Sequence, residues 1–176
     1  MNDRSITNNQ FHLDANVIVA YLLDEEGGAS ELQSRYFFPS NPGDKCIYIS
    51  TNELGEAFKR LFRQERNQNG CLFGSDIDHR VHMLHEKIKD GYIHVVKFDD
   101  VINGSPQVFL DTFKEIIQLD NMIQKGDVIN LTFFALSENS GIYLTNDGKI
   151  LTSSKVQKYF EKKNKKISEP FSKALK

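Results

Sequence analysis

Asp14, Glu56, Asp127 and Asp147 are scattered along most of the chain, yet each falls where an element pattern would deliver it to one common edge. Asp14 ends the strand-like Phe11-His12-Leu13 and interrupts a segment that is otherwise apolar as far as Leu23. Glu56 lies just beyond the apolar run Cys46–Ser50, Asp127 opens a helical pattern, and Asp147 follows the run Gly141–Thr145. Carboxylates crowded to about 5 Å repel by roughly 3 kcal/mol per pair at an effective dielectric near 20, and some would take up protons instead. Such a cluster makes physical sense around a hard cation, Mg2+ or Mn2+, which prefers oxygen ligands. Cys46 and Cys71 show no CxxC or zinc-type spacing, so no Cys/His set competes for that role. Taken singly, each acid has a plainer reading. Asp127 favours a helix N-terminus through the dipole, Asp147-Gly148 is a turn dipeptide, and Glu56 suits a solvated helix face. The set of four argues for a site more than any member does.

The elements that must position these acids follow from periodicity. Strand patterns fall at Phe11–Asp14, Cys46–Ser50, Tyr92–Phe98 and Gly141–Thr145. Between them lie helical patterns at Val17–Leu23, Ala29–Phe38 (closed by Pro39), Thr51–Gln68, Ser75–Asp90, Ser105–Asp120, Gly126–Glu138 and Ser154–Lys162. In the third of these, Leu54, Ala57, Phe58, Leu61 and Phe62 recur at three- and four-residue spacing. Ser75 with Asp78 marks a helix start. Strands separated by helices imply βαβ crossovers and therefore an α/β fold, with a central parallel sheet of four to five strands and helices on both faces. In such sheets, ligands bind at the carboxyl ends of the strands, where Asp14 and Asp147 fall.

Four segments resemble the motifs of the PIN-domain nucleases, and most closely the VapC-like toxins of toxin–antitoxin pairs. Phe11-His12-Leu13-Asp14-Ala15-Asn16-Val17-Ile18 is similar to that family's opening, an apolar strand followed by Asp-x-Asn and an apolar helix. Ile49-Ser50-Thr51-Asn52-Glu53-Leu54-Gly55-Glu56 resembles the second motif, whose acid lies six positions after the Ser. That register selects Glu56, with Glu53 one turn earlier as the alternative. Gly126-Asp127-Val128-Ile129 with Ala135 resembles the third motif, and Leu144-Thr145-Asn146-Asp147 the fourth. The resemblance spans Phe11 to about Leu151. It departs from the family at Lys149, where a second Asp is frequent, and at Ile150, where an aromatic is usual.

The resemblance implies a PIN-like nuclease domain over residues 1–154, with 155–176 a basic helix and tail of the same domain. It further implies a metal-dependent endoribonuclease, an RNA substrate, a homodimer and a tightly bound antitoxin that blocks the acidic centre. In RNA hydrolysis one or two divalent ions neutralise the phosphate, activate water and stabilise the leaving oxygen. Asp14 and Asp147 would hold the principal ion, with Glu56 and Asp127 binding it directly or through its waters. Asn16 would brace the Asp14 loop, and the Thr145 hydroxyl would bond the water or a neighbouring carboxylate. Two other readings share the fold: a PIN-type nuclease of RNA maturation or decay without an antitoxin, and an inert domain that binds RNA or protein. A phosphotransferase with Asp14 as nucleophile is disfavoured, because Asn16 stands where a second Asp is usual. The absence of a GxxxxGK[ST] loop argues against nucleotide-driven chemistry.

Bulk properties set the limits. The chain has 176 residues, 39% of them hydrophobic, enough for one domain with a real core. The formal charge is −2, but Lys155 to Lys176 contains eight Lys and two Glu, 8 − 2 = +6, leaving −8 on the rest. That Lys-rich end suits contact with phosphates and equally a solvated terminus. Lone thiols suggest a reducing compartment, and the polar first ten residues and short apolar runs suggest neither signal peptide nor membrane span. A cytoplasmic protein is expected. His79, His82 and His85 read as a solvated helix face, Asp99-Asp100 as a helix cap, and Phe37, Phe38, Phe133 and Phe134 mostly as core.

Overall fold

The structure, a computed structural model, describes residues 10–23, 32, 36, 46–67 and 75–170. The helix expected over Ala29–Phe38 falls outside the described residues except for Leu32 and Tyr36, both buried. The tail beyond Pro170 lies outside them as well.

Five strands form one sheet: β1 (Gln10–Leu13), β2 (Cys46–Ser50), β3 (Ile93–Val96), β4 (Ile142–Leu144) and β5 (Lys166–Ser168). The spatial order is β3-β2-β1-β4-β5 and every pairing is parallel. β1 is therefore central, with the strands that follow it laid down on one side and β4 and β5 on the other. The order reverses between β1 and β4, and in parallel sheets that switch point opens a crevice at the carboxyl ends of the two strands.

Side chains alternate between two layers of helices, as the period of a strand requires. On one face Leu13, Ile47, Ile49, Ile93 and Leu144 join residues of α1 (Ala15–Leu23), α2 (Thr51–Asn67) and α3 (Ser75–Lys89). On the other, Tyr143 and Ile167 pack with α5 (Pro106–Ile117), α6 (Lys125–Leu136) and α8 (Ser154–Glu161), where Ile116, Phe134 and Phe160 are buried. Tyr48 and Val96 extend that layer through Phe109 and Phe133, while Val101 and Ile102 bring in α4 (Phe98–Ile102). The fold is thus mixed α/β with helices flanking a wholly parallel sheet.

Three elements differ from the sequence expectation. β3 is shorter than Tyr92–Phe98, because Lys97 already serves as N-cap of α4 and its backbone N–H donates to the Asp100 carboxylate at 2.7 Å. A short helix, α7 (Gly148–Thr152), follows Asp147 directly in place of a simple turn. β5 was not among the four strand patterns. Its sequence, Lys-Ile-Ser, sits in a Lys-rich stretch and offers a single buried apolar residue, Ile167. Lysine on a sheet edge deters pairing with other chains, which explains why the segment reads as tail. His79, His82 and His85 are exposed on α3. No helix among the described residues is long and apolar enough to cross a membrane.

A buried lysine fixes the entry to β4. Lys165 Nζ donates to the carbonyls of Ser137 and Ser140 at 2.5 and 2.7 Å and stands 4.7 Å from the centre of the Phe134 ring. Burial pulls its pKa down to about 8. Lys165→Met keeps the packing but strands the Ser140 carbonyl and leaves the Ser137 carbonyl with the 3.4 Å bond from Ser140 Oγ. It is expected to lower the unfolding free energy by about 1–3 kcal/mol, read as a reduced midpoint in urea at pH 7.

Candidate active site

The Asp14 carboxylate sits at the switch point. β1 and β4 run in register with Leu13 opposite Leu144, so Asp14 and Thr145 leave the sheet side by side. The backbone N–H of Asp14 continues the ladder to Leu144 O at 2.9 Å. The Thr145 hydroxyl donates to Asp14 Oδ2 at 2.5 Å, while Thr145 Oγ1 accepts from Asp147 N at 3.0 Å. Asn16 ties the start of α1 to the same loop: its Nδ2 donates to Thr145 Oγ1 at 3.3 Å and its Oδ1 accepts from Asn146 N at 3.2 Å. Asp147 is the N-cap of α7, with Oδ1 accepting from Lys149 N at 2.7 Å and from Ile150 N at 3.4 Å. A side-chain cap of this kind fixes the carboxylate as well as the helix.

Glu56 and Asp127 approach from the helices. Glu56 Oε2 accepts from Asn130 Nδ2 at 3.3 Å, and Asn130 Oδ1 accepts from Asn52 Nδ2 at 2.6 Å. Asn130, fully buried and three residues after Asp127, thereby couples α2 to the second turn of α6. A Cβ built on Gly126 would lie 4.0 Å from Glu56 Oε1, so the carboxylate rests against the α6 N-terminus, where negative charge is favoured. Arg60, one turn beyond Glu56, donates to its Oε1 at 3.2 Å.

Electrostatics tie the acids into one group. Burial raises Asp14 to about 7. The Thr145 bond opposes this, and the charges of Glu53 and Asp127 add to it. Asp127 is raised as well, first by burial, then by Asp147 and Glu56, with Arg60 acting the other way. Asp127 is the hub whose field connects Asp14, Asp147 and Glu56. Among the described residues, however, no three His, Cys, Asp or Glu side chains stand close enough to hold one ion as now arranged. The donor set suits a hard cation: oxygen ligands only, with Asp14 and Asp127 held above their usual range by burial first and then by neighbouring carboxylates.

Glu53, on the same helix as Glu56, takes a different place. It is fully buried, with Oε2 accepting from Ser50 N and pairing with His12 Nε2, both at 2.7 Å. Among the described residues, Glu53 Oε1 and His12 Nδ1 have no hydrogen-bond partner. The Tyr143 hydroxyl feels Asp14 without meeting hydrogen-bonding geometry; burial foremost, then Asp14, Glu53 and Asp127, hold it well above its usual range. Glu53 thus belongs to a sealed polar layer beneath Asp14, whereas Glu56 is partly open to solvent.

Asn130, Asn52, Arg60 and His12 were not singled out from sequence. For Asn130 the signal was available: an amide one turn from Asp127 inside a helix that from Val128 to Leu136 is otherwise apolar except for Thr132.

No protein-family profile matches the chain. A protein of Acanthamoeba polyphaga mimivirus named "Putative ankyrin repeat protein R791" is 33% identical over 92 residues, 49% of this chain and 32% of that one. The chain thus spans about a third of that relative's length. Ankyrin repeats are pairs of helices joined by a β-turn, unlike the parallel sheet found here. Among solved structures, VapBC2 from Rickettsia felis, bound to a DNA fragment from its promoter, superposes with a TM-score of 0.54. The match covers 90% of this chain and 97% of that chain at 13% identity. The fold is PIN-like.

Because Asp14 carries a folded-state pKa of about 7 against an ordinary 3.8, the folded state binds the extra proton across that interval. Its stabilising effect is complete below about pH 4 and lost as pH rises through 7. Asp14→Asn removes this dependence. In metal-free buffer, the melting temperature of the variant is expected to rise relative to wild type between pH 4 and pH 8; a constant offset would refute the assignment.

Proposed function

We propose that this chain is a metal-dependent endoribonuclease that hydrolyses RNA phosphodiester bonds, acting as the toxin of a toxin–antitoxin pair. The observation that carries the reading is the placement of Asp14 at the β1/β4 switch point, within the field of Asp127, which in turn feels Asp147 and Glu56. The PIN-like fold and the likeness to a VapBC2 structure support it.

A bound Mg2+ or Mn2+ would neutralise charge on the substrate phosphate and lower the pKa of a bound water. Asp14 and Asp147 would hold it, with Glu56 and Asp127 as direct or water-mediated ligands. Glu56 serves this role in preference to Glu53, since Glu53 is sealed from solvent and committed to Ser50 and His12. Thr145 holds Asp14 in one orientation, Asn130 steadies Glu56, and Asn16 keeps the Asn146 loop against α1. Ion binding would draw the acids closer than they now stand, and their mutual repulsion makes that motion dependent on the cation. A homodimer and an antitoxin that covers the acidic centre belong to the same proposal.

Among the described residues no three acids stand close enough to hold one ion, which favours a second reading, a PIN-like domain that binds RNA or protein without cleaving it. A mixed RNA pool incubated with Mg2+, Mn2+ or EDTA separates the two. Cleavage is expected with either metal and not with EDTA, and Asp14→Asn or Asp147→Asn is expected to slow it on the order of a hundredfold or more. Intact RNA under all conditions, with the protein folded, selects the second reading. Growth arrest on expression, relieved by a small protein encoded alongside, would assign the toxin role.

A further inference from the structure

The acidic centre poses an electrostatic problem for any polyanionic substrate. On the nuclease reading, four carboxylates would border the place where an RNA phosphate must arrive, and a metal ion would offset only part of their charge. Arg60 is a cation built into the rim of this group. It lies one helical turn beyond Glu56 on the same face of α2, with Nη2 at 3.2 Å from Glu56 Oε1 and its side chain 42% exposed. Its charge also reaches Asp127 on the neighbouring helix α6.

The Glu56–Arg60 contact is easily exchanged. Ion pairs of this i,i+4 kind on an exposed helix face contribute little to stability, and one of the five guanidinium N–H donors is used in the bond to Glu56. Glu56, in contrast, has a second anchor in Asn130. A carboxylate that turns toward a cation therefore releases an arginine whose planar fork matches two phosphate oxygens at once.

We infer that Arg60 is the phosphate-binding residue of this centre, which exchanges the Glu56 carboxylate for a backbone phosphate of bound single-stranded RNA. The inference rests on the nuclease reading for its choice of RNA, but not on turnover. In the metal-free protein Arg60 partly neutralises the acids. With substrate present it bridges the acidic floor and the polyanion, holding the phosphate beside the carboxylates instead of letting it be repelled.

The test compares Arg60→Gln, Arg60→Lys and the charge control Lys59→Gln, an exposed position on the same helix. Affinity for a labelled single-stranded RNA is read by fluorescence anisotropy in Ca2+, and Mn2+ affinity by calorimetry without RNA. Arg60→Gln is expected to weaken RNA binding about tenfold while leaving Mn2+ affinity equal or higher, since a competitor for Glu56 is gone. Arg60→Lys should recover part of the RNA affinity, and Lys59→Gln should change it less than about threefold. Unchanged RNA affinity in Arg60→Gln would overturn the inference, as would parallel loss of RNA and Mn2+ affinity or an equal effect of Lys59→Gln. A wild-type protein that binds RNA through Arg60 but cleaves nothing would sustain the inference and overturn the nuclease reading. One that binds no RNA would overturn both.

Discussion

Like charges must be held together against their own repulsion, and the site is organised around that constraint. Three of the four acids are met by a fixed donor: Thr145 on Asp14, Asn130 on Glu56, and the first N–H groups of α7 on Asp147. These donors come from backbone and from short, buried side chains, which lose little freedom on folding. The parallel sheet supplies the rest. Its order turns back on itself between β1 and β4, so two strand ends carrying Asp14 and Thr145 emerge as neighbours although 131 positions separate them. Helices α2 and α6 then close on that edge from opposite faces of the sheet.

One turn of α2 shows how burial divides residues of the same chemical type. Glu53 and Glu56 are both acids near the start of one helix, yet Glu53 turns into the sheet and meets His12 and Ser50, while Glu56 turns toward α6 and solvent. The sealed layer of Glu53, His12 and Tyr143 retains polar atoms without partners under Asp14. Unpaired groups of that kind are costly in a core, so this layer stores polarity directly below Asp14, whose pKa burial raises to about 7. The field around Asp14 is therefore set from beneath as much as from the open side.

Much of the architecture was legible from residue patterns. Ile47 and Ile49 on one side of Tyr48, or Leu13 beside His12, mark strands buried on both faces, and the apolar spacing of α2 marks its core side. The acids could be placed because each adjoins such an element. What escaped were features set by tertiary context. β5 is held by its pairing with β4 and by one isoleucine, too short a signal against its lysines. α4 and α7 are single short helices started by Asp100 and Asp147 capping bonds. Arg60 gave no sign, since an exposed arginine on a helix is commonplace until its neighbour across the fold is known. The motif register favoured Glu56 over Glu53, but periodicity alone puts both near one helix face, and only the fold shows that they point to different surroundings.

The central position of β1 has a consequence for how the molecule comes into being. β1 to β3 lie in the first part of the chain and can pair as they are made, but the other flank of β1 stays open until β4 arrives. Contacts between segments so distant in sequence form late and slowly. Half of the acidic group, Asp127 and Asp147, is delivered by that same late segment. Asp14 and Glu56 are thus made before Asp127 and Asp147, and the strand end that carries Asp14 gains its second neighbour only when β4 has docked.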